Sequence, residues 1–108
     1  MNAKNAYIVF TDLKGFSKLS EPEIKIFYNE ILQELAEKII HLKKDALVWN
    51  TWGDALVAIF EDEAKVIELI FSYRDFFKNY DFKAKNINPI FPRIAGHFGR
   101  FEIIEDAL

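Results

Sequence analysis

Cysteine is absent from this sequence, and methionine, proline and glycine are scarce, with one, three and four copies. Because there is no cysteine, the chain can form neither a disulfide nor a thiolate metal site, and it has no thiol nucleophile. This fits a reducing compartment, so we expect a cytoplasmic protein. The first residues lack the apolar core of a signal peptide, and no apolar run is long enough to cross a bilayer. We therefore expect no membrane partner.

Positive charge is also limited. The net charge is −3, and the longest run of basic residues is the pair Lys43 and Lys44. Proteins that bind nucleic acids usually carry a dense basic patch, so we expect no nucleic-acid partner. Apolar residues are plentiful, since 51% of the 108 residues are hydrophobic and 16% are aromatic. That composition and length indicate one small globular domain.

The hydrophobic pattern predicts elements in the order βαββαβ. They are a strand at 6–12, a helix opened by a capping box at 20–23, a hairpin of strands at 46–52 and 55–60, a second helix at about 61–78 and a last strand at 93–104. Gly99 is a candidate interruption of the last strand. The order predicts an α+β fold of the ferredoxin-like type, in which a four-stranded antiparallel sheet carries two helices on one face.

Each predicted helix has a stripe of residues at three- and four-residue spacing, and this stripe should face the sheet. The first stripe consists of Ile24, Phe27, Ile31, Leu35, Ile39 and Leu42. The second consists of Ala64, Ile67, Ile70, Phe71, Arg74 and Phe77. These stripes predict which side chains form the core between the helices and the sheet.

Two aspartates stand at the ends of predicted strands. Asp12 ends the first strand and precedes a turn that contains Gly15, while Asp54 lies in the hairpin turn. In a ferredoxin-like sheet the first and third strands are central, adjacent and antiparallel, so these two positions should meet. Carboxylates bind divalent cations, and loop amides near a helix start bind phosphate oxygens. The pair is a candidate site for metal-assisted phosphoryl chemistry, although each aspartate alone is also a common turn former.

Three segments resemble motifs of the class III nucleotide cyclase catalytic domain. The segment 10–17, FTDLKGFS, is similar to the F-x-D-[ILV]-x-G-[FS]-[ST] motif that opens that domain. The segment 50–60, NTWGDALVAIF, is similar to the second metal motif, a Gly-Asp pair followed by an apolar strand that ends in Phe. The segment 93–100, RIAGHFGR, resembles the R-[IV]-G-[IV]-H-x-G strand. Together they follow the family's order and cover nearly the whole chain.

The resemblance implies a nucleotide cyclase, which converts a nucleoside triphosphate to a 3′,5′-cyclic nucleotide and pyrophosphate. It implies that Asp12 and Asp54 are the catalytic aspartates and hold two Mg²⁺ or Mn²⁺ ions, helped by the backbone carbonyl of Leu13. The residues that it assigns to substrate binding are Gly15, Phe16 and Ser17 through their amides, Asn50 beside the base, and Arg93 on the triphosphate.

Two positions depart from the family pattern. Asn50 stands where adenylate cyclases usually have lysine and guanylate cyclases have glutamate. Its amide both donates and accepts hydrogen bonds, so the base stays open between adenine and the pyrimidines of the bacterial anti-phage cyclases. Trp52 replaces an aliphatic residue, and we interpret it as a packing variant. Strand alternation puts Asn50, Trp52 and Asp54 on one side of the sheet unless the turn separates them.

The family domain continues through further elements that carry an Asn and Arg pair for the transition state, and no such pair occurs in 101–108. We therefore expect residues 1–108 to be a cyclase-like domain that lacks the family's C-terminal part and is weak or inactive alone. Family active sites form between two domains. We accordingly expect a homodimer or higher homo-oligomer, joined through the hairpin that carries Trp49 and Trp52 and through the strand 98–104.

Two other interpretations stay open. One is a catalytically inactive cyclase-fold module that binds nucleotide or dimerises, although a purely structural role does not need both aspartates. The other is a small-molecule sensor on the same scaffold, which the fold alone does not exclude. A sensor would not require the motif around Asp12 together with the Gly53-Asp54 pair.

Overall fold

The computed structural model of this chain describes residues 2–103, with side chains described for 5–100. The strands are β1 (Asn2–Lys14), β2 (Val48–Trp52), β3 (Ala55–Phe60) and β4 (Phe91–Ile103). The helices are α1 (Glu21–Ile26), α2 (Leu32–Ile39) and α3 (Glu63–Asn79). A π-helical segment, Phe27–Ile31, joins α1 to α2, and short 3₁₀ turns occupy Phe16–Lys18, Ile40–Asp45 and Lys83–Lys85.

The four strands form one antiparallel sheet in the order β2-β3-β1-β4. The first and third strands are therefore the central, adjacent, antiparallel pair that the sequence predicts. The continuous helical segment from α1 to α2 and the helix α3 form one layer, which packs on one face of the sheet. The ferredoxin-like α+β fold class is confirmed. No helix in residues 2–103 has the length and apolar character needed to cross a membrane.

The first helix begins where its sequence predicts. Ser20 Oγ accepts a hydrogen bond from the Glu23 amide at 3.4 Å, and Glu23 Oε1 accepts one from the Ser20 amide at 2.9 Å, which completes the capping box. The predicted stripe is also confirmed, since its residues from position 27 onward are buried: Phe27, Ile31, Leu35, Ile39 and Leu42. The π-helical segment Phe27–Ile31 is not visible in the sequence, because a single wide turn barely changes the spacing of the apolar residues.

The predicted stripe on α3 is wrong for most of its members. The residues of α3 that are buried are Val66, Leu69, Tyr73 and Phe77, whereas Ile67 and Phe71 are exposed. The apolar residues of α3 occur on most sides of the helix, so two different stripes fit the helical spacing. Packing against the sheet selects one of them. Phe71 instead lies under the Arg74 guanidinium, whose carbon is 4.6 Å from the ring centroid.

The last strand is longer than predicted and has no break within the described residues. It begins at Phe91, passes through Pro92, and keeps its register at Gly99, which pairs with Ala6. β4 is an outer strand of the sheet, where a missing N–H is tolerated. Pro92 also lies opposite Leu13, whose own amide points away from β4. Ile104, the predicted last residue of the strand, lies outside the described residues.

The two faces of the sheet differ in what covers them. On the helix face, Val9, Thr11 and Leu13 of β1 and Leu56, Ala58 and Phe60 of β3 are all buried. The opposite face, which we call the open face, carries the alternate residues of each strand, and no helix of residues 2–103 covers it. Its aromatic residues Phe10, Trp52 and Phe91 are 48%, 62% and 58% exposed.

Candidate functional site

Asp12 forms an ion pair with Arg93 on the open face. The two residues are direct partners in the register of β1 and β4. Arg93 Nε donates to Asp12 Oδ1 at 2.6 Å, and Arg93 Nη2 donates to Asp12 Oδ2 at 2.9 Å, so the guanidinium holds both carboxylate oxygens. Both side chains are largely open to solvent. The hydrogen bond to Asp12 and the charge of that carboxylate raise the pKa of Arg93, and the Asp54 charge acts in the same direction.

Asp54 follows Gly53 in the two-residue turn between β2 and β3. Gly53 has a φ of +56°, the left-handed conformation that glycine supplies at the first position of such a hairpin turn. The turn lies against the helical layer, because a Cβ on Gly53 would come within 3.1 Å of the Tyr28 hydroxyl. Asp54 is half-buried, and its Oδ2 accepts a hydrogen bond from the Leu13 amide at 3.4 Å.

The two aspartates lie at the same end of the sheet but face different surroundings. Asp12 lines a depression of about 410 Å³ on the open face, with Trp52 and Arg93. Asp54 lines a cavity of about 360 Å³ between the sheet and the helix α2. Asn50 lies opposite Val57 on the open face, so Asn50 and Trp52 share the face of Asp12. The turn therefore separates Asp54 from them, because the positive φ of Gly53 interrupts the alternation of the strand.

Leu13 connects the two aspartates through the backbone. Its amide points toward Asp54, past the last pair between β1 and β3, Thr11 and Leu56. In an antiparallel strand the N–H and C=O of one residue point to the same neighbour. The Leu13 carbonyl therefore points to the same side as the Leu13 amide, which is the side of Asp54. A carbonyl that shares a metal ion with Asp54 would need this direction.

Tyr73 of α3 is a residue that the sequence reasoning missed. Its side chain is buried and lines the cavity that Asp54 also lines. Burial raises the pKa of Tyr73 to about 12, and the charges of Asp54 and Asp12 act in the same direction. The correct apolar stripe of α3 would have found it, since Tyr73 falls between Leu69 and Phe77 on that stripe.

The expected phosphate-binding residues form a tight turn after β1. Gly15 has a φ of +96° and precedes the 3₁₀ turn Phe16–Lys18, and a Cβ on Gly15 would come within 3.3 Å of the Pro89 carbonyl oxygen. Phe16 anchors the turn, with its ring centroid 5.1 Å from that of Phe27 in an edge-on contact. Ser17 is exposed. The first amides of such a turn have no acceptor within the turn, so a side chain, a water molecule or a ligand can supply one.

The donor set fits a divalent cation that arrives with its substrate. Among residues 5–100, no group of three or more histidine or acidic side chains is placed to hold a metal ion. Mg²⁺ commonly binds through one or two carboxylates together with substrate phosphates and water. Asp12, Asp54 and the Leu13 carbonyl are ligands of these types, but Asp12 lies on the open face and Asp54 lines the cavity on the helix side. In the described arrangement Arg93 occupies both oxygens of Asp12, so cation and guanidinium compete for this carboxylate.

The surfaces expected to join two chains are partly exposed. Trp52 is exposed, and Phe98, 55% exposed, packs its ring on Tyr7 at a centroid distance of 4.6 Å. Trp49 is half-buried and packs edge-on against Phe60 at 6.5 Å, so it belongs to the helix face. The side chains of residues 101–104 lie outside the described part of the chain.

No protein-family model matches this chain, and no curated protein matches it. Solved structures share its fold. One is a monomeric double mutant of the guanylyl cyclase domain of the RhoGC fusion protein from the aquatic fungus Blastocladiella emersonii, at 17% identity and a TM-score of 0.60, covering 93% of this chain and 62% of that one. Another is the non-canonical dimeric form of that domain, at 15% identity and a TM-score of 0.61, covering 93% and 61%.

A third solved structure is the catalytic core of a rhodopsin-guanylyl cyclase with converted specificity in complex with ATPαS. It is 17% identical, with a TM-score of 0.60, and covers 93% of this chain and 60% of that one. This chain therefore spans 60–62% of the length of these structures. At such low identity the likeness is one of fold, and this chain has the fold of guanylyl cyclase catalytic domains over that part of their length.

Proposed function

We propose that this chain carries the metal- and triphosphate-binding half of a class III nucleotide cyclase site, which makes a 3′,5′-cyclic nucleotide and pyrophosphate. The observation that supports it is the arrangement at the end of β1 on a cyclase-like fold. There, Asp12 faces Arg93 across the strands, and Asp54 is tied to the backbone of Leu13. The proposal assigns the two aspartates to the cation and the Arg93 guanidinium to the triphosphate.

In this proposal Asp12, Asp54 and the Leu13 carbonyl hold Mg²⁺ or Mn²⁺. When bound, two such ions supply Lewis acidity to the ribose 3′-hydroxyl and neutralise charge on the triphosphate. The protein positions the substrate for in-line attack at the α-phosphorus, so rigid placement of these side chains matters more than covalent chemistry. The hydrogen bond from the Leu13 amide to Asp54 fixes that carboxylate at the end of the sheet.

Arg93 changes partners in this mechanism. Its planar guanidinium matches phosphate oxygens as well as it matches a carboxylate. We assign it to the triphosphate, which takes the guanidinium from Asp12 and leaves that carboxylate for the cation. The amides of Gly15, Phe16 and Ser17 bind further phosphate oxygens at the turn after β1. The side chain of Phe16 holds the turn against the core.

Base selection and assembly complete the proposal. Asn50 contacts the base from the open face, and the base is adenine or a pyrimidine; with a pyrimidine, an anti-phage signalling role follows from the family resemblance. The chain forms a homodimer or higher homo-oligomer in this proposal, and a longer form would be needed to supply the transition-state pair. Among the structures of similar fold, one is described as monomeric and another as a non-canonical dimer, so the fold is compatible with self-association.

The second candidate is a catalytically inactive module of the same fold that binds nucleotide or dimerises. One observation favours it: the pair of Asp12 and Arg93 satisfies both charges without any ligand. In that case the two residues act as a cross-strand ion pair and the cyclase chemistry is absent.

The test is incubation with ATP, GTP, CTP and UTP in turn, with Mn²⁺, followed by chromatography of the products. It should be run on this chain and on any longer native form, with Asp12→Asn, Asp54→Asn and, as a control, Asp75→Asn. Asp75 is an exposed acid on α3 that pairs with Arg74. We expect a cyclic product from one or more triphosphates, stronger in a longer form, lost in the first two variants and kept in the control. Absence of any cyclic product from every form would favour the inactive module.

A further inference from the structure

A cavity lies between the helix α2 and the outer strand β2, on the side of the sheet opposite the open face. Its volume is about 360 Å³, at the lower end of the volumes usual for small-molecule sites. Its walls are mostly apolar and include Leu35, Ala36 and Ile39 of α2 and Trp49 of β2. The proposed cyclase chemistry uses none of these four side chains.

The two ends of this cavity differ in charge. A Cβ on Gly53 would come within 3.1 Å of the Tyr28 hydroxyl, so the hairpin turn lies beside the helical segment that leads into α2. Asp54, in that turn, supplies a carboxylate at this end. Lys43 follows the end of α2 and is exposed at the opposite end. The cavity extends roughly 13 Å along β2, from Trp49 to Gly53, so Lys43 does little to neutralise Asp54.

Asp54 has hydrogen-bonding capacity to spare at its end of the cavity. Its Oδ2 accepts one long hydrogen bond, 3.4 Å, from the Leu13 amide, and among residues 5–100 its Oδ1 accepts none. A carboxylate that is half-buried beside apolar walls is best matched by a donor that carries positive charge. This end of the cavity therefore suits a cation.

Tyr73 adds a hydroxyl group at the same end. Its side chain is buried and lines the cavity. After burial, the groups that act most on its pKa are Thr11 and then Asp54, so the hydroxyl lies near both. Thr11 Oγ1 is buried, and within the described part of the chain it has no hydrogen-bond partner of normal geometry. A bound cation that donates to the phenolic oxygen of Tyr73 leaves the phenol hydrogen for Thr11.

We propose that this cavity binds a small organic amine, with its ammonium group between Asp54 and Tyr73 and its apolar body between α2 and the hairpin. A metal ion alone does not match the apolar walls, and an uncharged apolar molecule leaves the carboxylate without a counter-charge. An organic cation matches both. The amine takes Asp54 from the metal ion and so regulates the site from the helix side. This regulatory part rests on the proposed function, whereas binding of the amine does not.

The probe is phenethylamine, with phenethyl alcohol as its uncharged counterpart, each titrated into isotope-labelled protein and followed by NMR. The chain has two tryptophans, and their indole N–H signals report on the two faces. Trp49 lines the cavity, whereas Trp52 is 62% exposed on the open face, so our interpretation of Trp52 as a packing variant is wrong. Trp52→Phe assigns the two signals. We expect phenethylamine to shift the Trp49 signal and to leave the Trp52 signal unchanged.

Three variants test the contacts, and the dispersion of each spectrum shows whether the variant is folded. Asp54→Asn keeps the shape of the side chain but removes its charge, so we expect it to weaken phenethylamine about 10- to 150-fold. It should then bind the amine no better than the alcohol. Asp12→Asn is the matched control and should keep the amine affinity, because Asp12 lines the depression on the open face. Ala36→Leu fills the cavity with another good helix former, so both probes should be lost.

The regulatory part is tested by electron paramagnetic resonance of Mn²⁺ with the wild type. We expect the apparent Mn²⁺ affinity to fall severalfold with phenethylamine and to stay constant with phenethyl alcohol. An unmoved Trp49 signal, or equal amine affinity in the wild type and Asp54→Asn, would overturn the amine site and leave the proposed function standing. Independent binding of amine and Mn²⁺ would overturn the regulatory part. If Mn²⁺ binds no form while phenethylamine shifts the Trp49 signal, the proposed function fails and the amine site stands.

Discussion

Both faces of this sheet carry apolar and aromatic residues, but these residues are buried on one face and exposed on the other. On the helix face, Phe60 is fully buried with the helical layers over it, and on the open face Phe10 is about half exposed in the neighbouring strand. Apolar residues on the helix face stabilise the fold by burial. Those on the open face bury less area, and Phe10 and Trp52 line the same depression as the ion pair of Asp12 and Arg93. The open face is therefore the part of the described sheet that is suited to the substrate of the proposed function.

The two aspartates show the same contrast at the scale of single side chains. Asp12 lies on the open face with a cation as its partner, whereas Asp54 is held at the helix side by the Leu13 amide. A carboxylate whose partner is a solvent-exposed side chain can exchange that partner for a ligand. A carboxylate bound to the backbone stays in place. In the proposed function, Asp54 would be the ligand that stays in place, and Asp12 would become free when substrate takes Arg93.

The largest effect expected is on stability, and it tests the contrast between the faces. Phe60→Ala removes a fully buried ring and should lower the free energy of unfolding by about 3–5 kcal/mol. Phe10→Ala should lower it by less than about 1 kcal/mol, because that ring is half in water. Urea unfolding followed by circular dichroism measures both. If Phe60→Ala does not fold, Ile31→Val, in the helical segment that packs on this face, should still cost about 0.5–1.5 kcal/mol. Equal losses for the two phenylalanines would remove the distinction.

The next effect concerns the turn that separates Asp54 from the open face. Gly53→Ala puts a Cβ on a residue with a φ of +56° and within 3.1 Å of the Tyr28 hydroxyl. We expect the free energy of unfolding to fall by about 1–2 kcal/mol. Gly96→Ala is the matched control, because that position has ordinary space, with its nearest atom at 3.7 Å. It should leave stability unchanged or slightly raised. A harmless Gly53→Ala would mean that the turn is not constrained as described.

A smaller effect should appear in cation binding to the nucleotide-free chain. Arg93→Gln frees the Asp12 carboxylate, so Mn²⁺ affinity measured by electron paramagnetic resonance should rise severalfold, while affinity for tripolyphosphate falls. Arg93→Lys keeps the positive charge but loses the two-pronged contact, and it should lie between the wild type and Arg93→Gln for both ligands. Unchanged Mn²⁺ affinity in Arg93→Gln would show that the guanidinium does not compete for Asp12.

The smallest effect is a pH dependence on the helix side of the site. Hydrogen bonds from the Ser20 and Asn88 backbone amides lower the pKa of Glu23. A carboxylate with a lowered pKa stabilises the fold above its unfolded pKa, and this stability is lost as the pH falls through the folded pKa. The stability difference between wild type and Glu23→Gln should therefore shrink between about pH 6 and pH 3. Glu21→Gln, which removes a carboxylate from the same helical turn but keeps both hydrogen bonds, is the matched control.

Local signals in the sequence were sufficient for the frame of this fold. The capping box at Ser20 and Glu23, the Gly53-Asp54 turn and the first helical stripe predict the elements and their order, because each depends on residues close together in the chain. The predicted α3 stripe and the predicted start of the last strand at Arg93 were wrong, since both depend on which neighbour an element packs against. Helix periodicity does not decide between two apolar stripes. Pro92 was assigned to a loop, because the sequence does not show that its strand lies at the edge of the sheet, where proline is tolerated.

The candidate site divides in the same way. The sequence predicts that Asp12 and Asp54 come to one end of the sheet, and the topology places them there. It does not predict the ion pair between Arg93 and Asp12, because these residues are 81 positions apart in the chain. Nor does it predict the exposure of Trp52, which follows from which face of β2 is left uncovered. Their roles as metal and substrate ligands stay predictions.

The most direct measurement is a calorimetric titration of the chain with Mn²⁺ and the triphosphate that binds it best, in the wild type, Asp12→Asn and Asp75→Asn. The central claim is that the open-face end of β1 binds a metal–triphosphate through Asp12. It predicts a saturable heat for the wild type and for Asp75→Asn, and none for Asp12→Asn. Binding of equal affinity in all three proteins, or in none, would contradict it.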